Sequence, residues 1–446
     1  MKFLRAGLIL VFSFCFLESR GQALKDGEEF FLPVLEKSVH IYDPSVGEKT
    51  SWYINDHCIV QGKEGRYHLF GITHWKAIIP PAWAEHQFAH ASSARLFQIP
   101  WQKHPPALKI DKKLGETHIW APHIIEKDGV YYMFYAGGGG HWNSMINLAQ
   151  STDLFNWRRH PANPLFRDFY DARDPMVFEY NGEYLLYYTK TYSKDKHFST
   201  VAFRRSRDLI HWSEPEFALI LTEKPYLINS GHTESPFVFE YKGKFYLSVC
   251  SPYYHYRLTR IFVSDNPYHF DEKNEITLLI AHCAEVLNFD QNWYVSHAGW
   301  FYDGVYLAPL RWVKAKKFFP QFIFLNAGEE DKYLVESKKV HKGTARLWSR
   351  YPTNQVLRIA GGGSVSYKIP LPDKVQLFEI FLCGAGEYEL EIPAEDEFQL
   401  KKDPSSSEGL DLYWLKFPSP ISSLELKVKS KARKYELNFI KIYFLQ

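Results

Sequence analysis

Three acidic residues occur at matching places in the sequence and could act together on one substrate. Asp56 ends the segment WYIND, Asp174 lies in the segment DARDP, and Glu234 lies in the segment HTESP. Each acid stands just before an apolar run that is typical of a β-strand. A protonated carboxyl group and an ionised one on the two sides of a bond can perform acid–base or nucleophilic catalysis. The alternative is that each acid only caps a strand or a turn, as Asp often does before Pro.

The side chains around the three acids indicate how such a site could bind a ligand. Burial beside Pro236 and Phe237 would raise the pKa of Glu234 and keep it protonated, while Asp56 would be ionised. Flat rings can stack on a sugar, and amide, imidazole and guanidinium groups can hold polar ligand atoms. A core position remains the alternative for any single tryptophan or histidine. The candidate ligand contacts are Trp52, Asn55, His90, Trp120, Trp142, Arg173, His232 and His297.

The acids are embedded in a segment type that the sequence repeats five times. Each copy is an apolar run, a short turn that ends in Gly, and an aromatic-rich run, which together predict a β-hairpin. The last hairpin is predicted over residues 297–310, so that His297 opens the fifth unit. The turn glycines, which lie 64, 53, 61 and 61 residues apart, are Gly65, Gly129, Gly182, Gly243 and Gly304.

A second repeated block follows the hairpin in the earlier units. Ser151–Trp157 reads STDLFNW and Ser206–Trp212 reads SRDLIHW, and weaker versions begin at Ser93 and Ser264. Each unit of about 60 residues can therefore form one four-stranded sheet. Sheets repeated radially without long helices form a β-propeller, and five units predict five blades. A β-sandwich with accidental similarity between its hairpins is the alternative.

The whole chain is thus predicted to be all-β, with a five-bladed β-propeller at about residues 35–335. A small C-terminal β-sandwich-like domain is predicted at residues 340–446, from the glycines at 361–363 and the alternating runs at 388–392 and 424–428. The sequence of this domain contains no cluster of acids, bases or metal ligands. Packing against the propeller is therefore its favoured role, and sugar binding is the alternative.

Residues 1–21 are typical of an export signal. Two basic residues precede an apolar run of 12 residues, Ala6–Leu17, and Gly21 is a small residue that suits cleavage. The apolar run is too short to span a bilayer. Lipid attachment at Cys15 is disfavoured because the preceding residue, Phe14, is not small. We therefore expect an exported protein, either periplasmic or extracellular.

Composition excludes several classes of partner. The formal net charge of +2 over 446 residues provides no basic field for nucleic acid or for an anionic membrane. After the leader no run reaches about 18 apolar residues, so no membrane span is predicted. Aromatic residues make up 17% of the chain, which favours dense β-structure or a surface that stacks on sugars or bases. Buried free thiols are the favoured interpretation, over disulfides, for Cys58, Cys250, Cys283 and Cys383.

In these motifs the chain resembles the five-bladed propeller glycoside hydrolases, with families 32 and 68 on one side and families 43 and 62 on the other. Members carry an Asp on blade one, an Asp in an Arg-Asp-Pro block on blade three, and a Glu on blade four. Asp56, Asp174 and Glu234 match that order, and the resemblance covers about residues 40–320. It implies a carbohydrate substrate and a two-carboxylate mechanism.

The two branches imply different roles for the same residues. By similarity to family 32, Asp56 would be the nucleophile and Glu234 the acid/base, and the sugar configuration would be retained. By similarity to family 43, Asp56 would activate water, Glu234 would be the acid, and Asp174 would tune Glu234. Resemblance to family 43 also implies a histidine near a central calcium or water, for which His297 is the candidate. No other cofactor is expected, and calcium prefers oxygen ligands.

Local details divide between the branches. The opening segment at residues 52–56, the segment at 88–93 and a C-terminal sandwich are similar to family 32. That family's opening continues Pro-Asn-Gly, whereas here Asp56 is followed by His-Cys-Ile, and its Glu usually precedes Cys, whereas Glu234 precedes Ser235. We expect a divergent retaining enzyme that removes terminal fructosyl or arabinofuranosyl-like residues from oligo- or polysaccharides. An inverting family 43-like glycosidase and a catalytically inactive carbohydrate-binding propeller are the alternatives.

Overall fold

The structure is a computed structural model, and it describes most of the chain between residues 24 and 445. Apart from short 3-10 turns, the regular secondary structure of this part is entirely β-strand, as predicted. The described residues are 24–25, 27–76, 84–139, 143–168, 171–191, 199–221, 233–250, 256–299, 301–317, 322–326, 337–348, 351–394, 397–406 and 409–445.

Two short N-terminal strands precede four antiparallel sheets of four strands, in each of which the strands pair in chain order. The N-terminal strands are β1 (Glu29–Leu35) and β2 (Val39–Tyr42). Blade one contains β3 (Trp52–Gln61), β4 (Tyr67–Trp75), β5 (Gln87–Ser93) and β6 (Gln102–Lys109). Blade two contains β7 (His118–Lys127), β8 (Val130–Gly138), β9 (Ser144–Ser151) and β10 (Arg158–Arg159). Blade three contains β11 (Asp171–Tyr180), β12 (Glu183–Thr191), β13 (Ser199–Ser206) and β14 (Glu216–Leu221). Blade four contains β15 (Glu234–Tyr241), β16 (Lys244–Cys250), β17 (Leu258–Ser264) and β18 (Glu275–Ile280).

The fifth blade is assembled from both ends of the propeller sequence. Its later strands are β19 (Glu285–Phe289), β20 (Asn292–His297) and β21 (Val305–Lys316). Strand β1 pairs antiparallel with β21 from Glu29↔Lys316 to Leu35↔Leu310, and β2 also pairs with β21. The ring is therefore closed by residues that lie before the expected propeller start at residue 35.

The predicted fifth hairpin at residues 297–310 is wrong in its position. The tight turn of this blade lies at Asp290-Gln291, both with positive φ (52° and 64°), and it joins β19 to β20. His297 ends β20 and does not open the blade. Gly304 is required for another reason: a Cβ there would lie 1.9 Å from the carbonyl oxygen of Tyr42, on the neighbouring strand β2. A close backbone approach, and not a hairpin turn, thus explains this glycine.

The repeated block after the hairpins is a turn stabilised by its own polar side chains. The hydroxyl of Ser151 accepts from the backbone N–H groups of Asp153 and Leu154, and the Asp153 carboxylate accepts from two further N–H groups. Ser206 and Asp208 make the same contacts in blade three. Side-chain acceptors replace backbone partners at these bends, which explains why the block recurs.

Apolar clusters between neighbouring sheets hold the ring together. One cluster joins blades one and two, another joins blades two and three, a third joins blades three to five, and a fourth joins blades five and one. Much of the aromatic content lies here. The rings of Tyr241 and Trp312, from blades four and five, stack with centroids 3.8 Å apart. The prediction of a five-bladed propeller is confirmed.

The C-terminal sheet folds around a core of its own. Long bent strands contribute both of their halves to one apolar cluster, as in a sandwich. The expected propeller range of 35–335 includes β22, but this strand pairs with β28 in the C-terminal sheet. The strands are β22 (Phe322–Asn326), β23 (Ser337–Trp348), β24 (Tyr351–Ala385), β25 (Tyr388–Glu391), β26 (Gln399–Lys402), β27 (Leu410–Ser430) and β28 (Lys434–Leu445).

A buried ionic network joins the C-terminal sheet to blade four. The Glu275 carboxylate accepts from Arg260 of the same blade at 2.6 Å, and from Lys441 and Tyr443 of β28 at 2.5 and 2.6 Å. All four side chains are buried. The pKa of Glu275 is lowered to about 2, because the charges of Arg260 and Lys441 outweigh burial.

Neither a disulfide nor a membrane-crossing helix is found in the described part of the chain. The four cysteines beyond the leader are buried free thiols, as favoured from the sequence. None of the described helices is long and apolar enough to span a bilayer. The expected export signal, residues 1–21, lies outside the described residues.

Candidate active site

The first strand of each blade has a β-bulge at its start. In blades one to four, two residues of the first strand are left unpaired near its start, and pairing with the second strand then resumes. The last paired residue before each gap is Ile54, Trp120, Arg173 or Glu234. In the fifth blade, the N–H of Ala298 donates to the carbonyl of His282, and pairing resumes at Glu285. Two residues of the first strand thus lie opposite one residue of its partner. Such a bulge changes the direction in which the neighbouring side chains point.

The three predicted acids occupy neighbouring positions of these bulges, and not identical ones as expected. Glu234 is the last paired residue, Asp174 is the first residue of its bulge, and Asp56 is the second. Asp174 has a φ of 56°, a left-handed conformation that Asp tolerates better than most residues. The residue with the equivalent conformation in blade four is Ser235, at φ 48°. The bulges therefore stagger the three carboxyl groups by one residue from blade to blade.

Ser235 connects two of the acids. Its hydroxyl donates a hydrogen bond to Oδ1 of Asp56, and its backbone N–H donates to Oδ2 of Asp174 at 3.1 Å. Asp56 and Asp174 belong to blades one and three, so a single residue of blade four bridges them. Ser235 was not predicted as a site residue, although it lies directly after Glu234.

Arg173 connects the remaining pair. Its Nε lies 3.6 Å from Oδ2 of Asp174, and its Nη2 lies 3.7 Å from Oε1 of Glu234. Asp171 holds the other side of the guanidinium, with Oδ2 3.6 Å from Nη1. These distances are too long for hydrogen bonds. Nε and Nη2 are buried and have no acceptor among the described residues, so both N–H groups can donate to a ligand.

Burial and mutual repulsion raise the pKa values of two of the carboxyl groups. The pKa of Asp174 is well above its usual range because of burial and the negative charge of Asp56, against the opposing effect of Arg173. The pKa of Glu234 is raised by burial, partly offset by Arg173. Burial would lower the pKa of Arg173, but the surrounding carboxylates raise it, so the guanidinium stays charged. The site can therefore keep one carboxyl protonated beside an ionised one.

A fourth carboxyl group, Glu85, lies near these acids and was not predicted. The hydroxyl of Tyr53 donates to its Oε1 at 2.6 Å, and Trp120 also contacts it. Burial, with a contribution from the charge of Asp56, raises the pKa of Glu85 to about 8. Glu85 precedes β5 in a segment that belongs to none of the repeats, so no sequence signal indicated it.

Two thiols and an imidazole lie in the same region. Sγ of Cys250 is 2.9 Å from Nδ1 of His282. The thiol of Cys283 lies 3.3 Å from the hydroxyl of Ser235 and 3.6 Å from Oδ1 of Asn55. Asn55, a predicted ligand contact, thus lies beside the acids.

Sequence comparison identifies the family. The profile described as "Glycosyl hydrolases family 32 N-terminal domain" matches residues 48–317. The chain belongs to this family. Its propeller is a glycoside hydrolase domain, as the resemblance implied. A relative described as "Xylosidase/arabinosidase", from Butyrivibrio fibrisolvens, is 38% identical over 64 residues, which are 14% of this chain. The aligned part spans 12% of that curated relative.

Solved structures with similar folds come from both branches. The Bombyx mori GH32 beta-fructofuranosidase BmSUC1 has a TM-score of 0.46 at 17% identity, covering 93% of this chain and 94% of that chain. A thermostable family-43 glycoside hydrolase also has a TM-score of 0.46, at 19% identity, covering 63% of this chain and 94% of the other.

The predicted tryptophan contacts of the family 32 domain differ in exposure. Trp120 is buried, and its ring stacks on His118 with centroids 3.8 Å apart. Its contact with Glu85 links it to the acids. Trp52 is half-buried at the start of β3, four residues before Asp56, and its ring lies 6.2 Å from that of His74.

Two predicted histidine contacts lie in other surroundings. His90 is on β5, the third strand of blade one, where its ring stacks on Phe70 and its Nε2 is 3.0 Å from Nδ1 of His68. His90 is buried among these neighbours in the packed interior of the blade. His297 is buried at the end of β20, with Nε2 3.0 Å from the Ser38 hydroxyl. The other predicted contacts, Trp142 and His232, lie outside the described residues.

A candidate group of metal ligands lies beside the acids. The calcium proposed near His297 would need oxygen ligands, and the described contact of its Nε2 is a single hydroxyl. Among the described residues, the acid, thiol and imidazole groups that come together with metal-ligand spacing are Glu234, Cys250 and His282.

Proposed function

We propose that this family 32 domain removes terminal furanoside residues, fructosyl or arabinofuranosyl-like, from oligo- or polysaccharides with retention of configuration. One observation carries the proposal: Arg173 and Ser235 tie together three carboxyl groups that come from three different blades. Bringing several carboxyl groups together in a buried place costs free energy, because they repel one another and lose contact with water. The arrangement provides an acid, a nucleophile and a transition-state stabiliser.

In the proposed reaction Asp56 is the nucleophile. The hydroxyl of Ser235 donates a hydrogen bond to Oδ1 of Asp56, which positions the carboxylate to attack the anomeric carbon. Glu234 donates its proton to the leaving oxygen, and a covalent glycosyl–enzyme ester forms at Asp56. Glu234, now ionised, then takes a proton from water, whose oxygen attacks the same carbon and frees Asp56. The raised pKa of Glu234 and the 29% exposure of its side chain suit this exchange with substrate and water.

Asp174 and Arg173 are proposed to hold the sugar ring. The two buried N–H groups of Arg173 that lack acceptors can donate to ring hydroxyls. Asp174 can accept a hydrogen bond from a hydroxyl of the sugar and so hold the ring as the oxocarbenium-like transition state forms. Asn55, Trp120 and Trp52 are proposed as further contacts on the side of blades one and two.

The substrate and the location are also proposals. The xylosidase/arabinosidase relative and the fructofuranosidase neighbour both have names that suit a terminal sugar residue. The leader at residues 1–21 supports export to the periplasm or the medium, where such saccharides are available.

The first test measures sugar release and the acid role of Glu234. We expect one or more furanosides in a panel of furanosides and pyranosides to be hydrolysed, and NMR to detect the retained anomer first. Glu234→Gln should lower kcat by about 10²–10⁴-fold, because the leaving group loses its proton donor. Glu240→Gln, an exposed acid on the same strand, is the matched control and should retain activity.

The outcomes separate the alternatives. An inverted product would favour the family 43-like mechanism, which the Ser235-Pro236 pair after Glu234 supports. Binding of sugars without any turnover, unchanged in Glu234→Gln, would contradict the catalytic role and indicate a carbohydrate-binding propeller.

A further inference from the structure

The candidate active site contains two side chains that the hydrolytic mechanism does not use. Cys250 ends β16, and His282 precedes the first strand of the fifth blade. Both are buried, with 0% and 1% of their surface exposed. Their Sγ and Nδ1 atoms lie 2.9 Å apart. Together with a carboxylate oxygen of Glu234, these atoms all lie within 4.8 Å of one another.

A thiolate, an imidazole and a carboxylate are ligands that Zn²⁺ accepts, and three protein ligands leave the fourth tetrahedral position open. Calcium and magnesium prefer oxygen ligands and would not select such a set. We propose that Glu234, Cys250 and His282 form a binding site for Zn²⁺ or a similarly soft divalent cation, and that the bound ion blocks hydrolysis. The inhibitory part rests on the proposed acid role of Glu234.

The fold positions two of the ligands on one strand pair. Glu234 and Cys250 are directly opposite each other in the β15–β16 ladder, so their side chains point to the same face. In the structure the thiol and the imidazole are within hydrogen-bond distance of each other. Zinc between them, with usual Zn–S and Zn–N lengths and tetrahedral angles, would separate Sγ and Nδ1 to about 3.6 Å. The required movement from 2.9 Å is a fraction of an ångström.

The imidazole of His282 is held firmly in position. The ring of Tyr256 stacks on it with centroids 3.7 Å apart, and the ring also hydrogen-bonds to the Tyr256 backbone. On the same side, Gly299 packs so closely that a Cβ there would lie 2.7 Å from Cδ2 of His282. Ligands that are fixed before binding lose little entropy when the metal arrives.

The charge around the three ligands favours a cation. The carboxyl groups of Asp56, Asp174 and Glu234 share one guanidinium among the described residues, that of Arg173. A divalent ion would favour the ionised forms of these carboxyl groups, and its binding would release the thiol proton of Cys250.

Occupancy of this site would have a direct consequence for catalysis. A Glu234 carboxylate that is coordinated to Zn²⁺ has no proton to donate to a leaving group. The metal would therefore act as a reversible inhibitor, and a chelator would restore activity.

Cobalt(II) provides a test of binding that does not depend on turnover. Titration of the reduced full-length protein with Co²⁺ should produce a thiolate-to-cobalt charge-transfer band in the near ultraviolet, which saturates at one equivalent and disappears when Zn²⁺ is added. Cys250→Ser should lose the band. Cys283→Ser, which removes the other buried thiol of this region, is the matched control and should keep it.

Two outcomes would overturn the metal site. One is the absence of the charge-transfer band in the folded wild-type protein. The other is an unchanged band in a Cys250→Ser variant that is folded by circular dichroism. If Cys250→Ser misfolds and loses the band, Glu234→Gln provides the second test, because it keeps Cys250 and His282 as ligands. That variant should retain the charge-transfer band but bind Co²⁺ at least about tenfold more weakly.

Activity measurements separate this proposal from the proposed function. With a hydrolysed substrate, one equivalent of Zn²⁺ should lower wild-type turnover by about a hundredfold, and EDTA should reverse it. In Cys250→Ser the ratio of turnover with and without Zn²⁺ should be close to one. Metal binding in a protein that hydrolyses nothing would sustain the site and contradict the enzymatic proposal. Binding without inhibition would contradict the inhibitory role alone.

Discussion

At the scale of single residues, Ser235 is the side chain on which the site depends most directly after the acids. It is the sole described residue that donates hydrogen bonds to both Asp56 and Asp174. The hydroxyl and the backbone N–H act on different acids, so a side-chain substitution removes the hydrogen bond to Asp56 and leaves the one to Asp174 in place. This separation makes the role of the Ser235 hydroxyl measurable.

Ser235→Ala should lower kcat/KM by about ten- to a hundredfold, because one hydrogen-bond donor to Asp56, the proposed nucleophile, is lost. Ser235→Cys restores a weaker hydrogen-bond donor, so its kcat/KM should lie between those of the wild-type protein and Ser235→Ala. Steady-state kinetics with the best furanoside of the panel provide the measurement, and thermal unfolding provides the control for folding. Wild-type kinetics in the alanine variant would contradict the positioning role.

At the scale of elements, the sequence predicted turns and strands correctly where neighbouring residues alone determine them. The pairs Asp128-Gly129 and Asn181-Gly182 marked true hairpins, because Asp or Asn followed by Gly readily adopts φ > 0 at both residues. The turn at Asp290-Gln291 escaped notice because Gln rarely adopts that conformation. Strand β1 was missed as part of the ring, since its pairing with β21 depends on residues far along the chain.

The same distinction explains which parts of the site were predicted. Asp56, Asp174 and Glu234 stand in repeated segments, so their common position could be inferred. Cys250 and His282 belong to different blades and 32 residues separate them, so their contact follows only from the packing of the ring. Burial, such as that of His90, is likewise not encoded in a local pattern.

Gly304 provides a prediction at this scale. Gly304→Ala should destabilise the propeller by several kcal/mol, because its Cβ would collide with the carbonyl of Tyr42 at a φ of 153°. Gly243→Ala is the matched control: its φ is 76° with open space around it, so it should cost about 1–2 kcal/mol. Urea unfolding compares the two variants, and equal losses would contradict the role of close packing.

At the scale of the whole molecule, the C-terminal sheet is joined to the propeller by buried polar groups as well as by apolar packing. Glu379 of β24 is 1% exposed and accepts from the hydroxyl of Thr277 in blade four at 2.8 Å. Burial raises its pKa to about 8, Asp403 adds to this effect, and Arg311 opposes it. Unlike Glu275, it has no bound cation in the described network, so it is most stable when protonated.

The free energy of unfolding should therefore depend on pH through Glu379. Between pH 4.5 and about pH 8, Glu379 is protonated in the folded protein, whereas in the unfolded chain its carboxyl group is ionised. This contribution to stability is complete below pH 4.5 and is lost as the pH rises to 8. Glu379→Gln should reduce that loss by up to a few kcal/mol. Urea unfolding between pH 5 and about 9 measures it, and parallel profiles for the two proteins would contradict it.

The closure of the ring by β1 also bears on the order in which the protein matures. A chain synthesised from its N-terminus presents residues 29–35 long before their partners at 310–316 have been made. Blade five cannot be completed during most of that time, and pairing between such distant segments is slow. Closure of the ring therefore comes late, after the four blades that pair within themselves have become available.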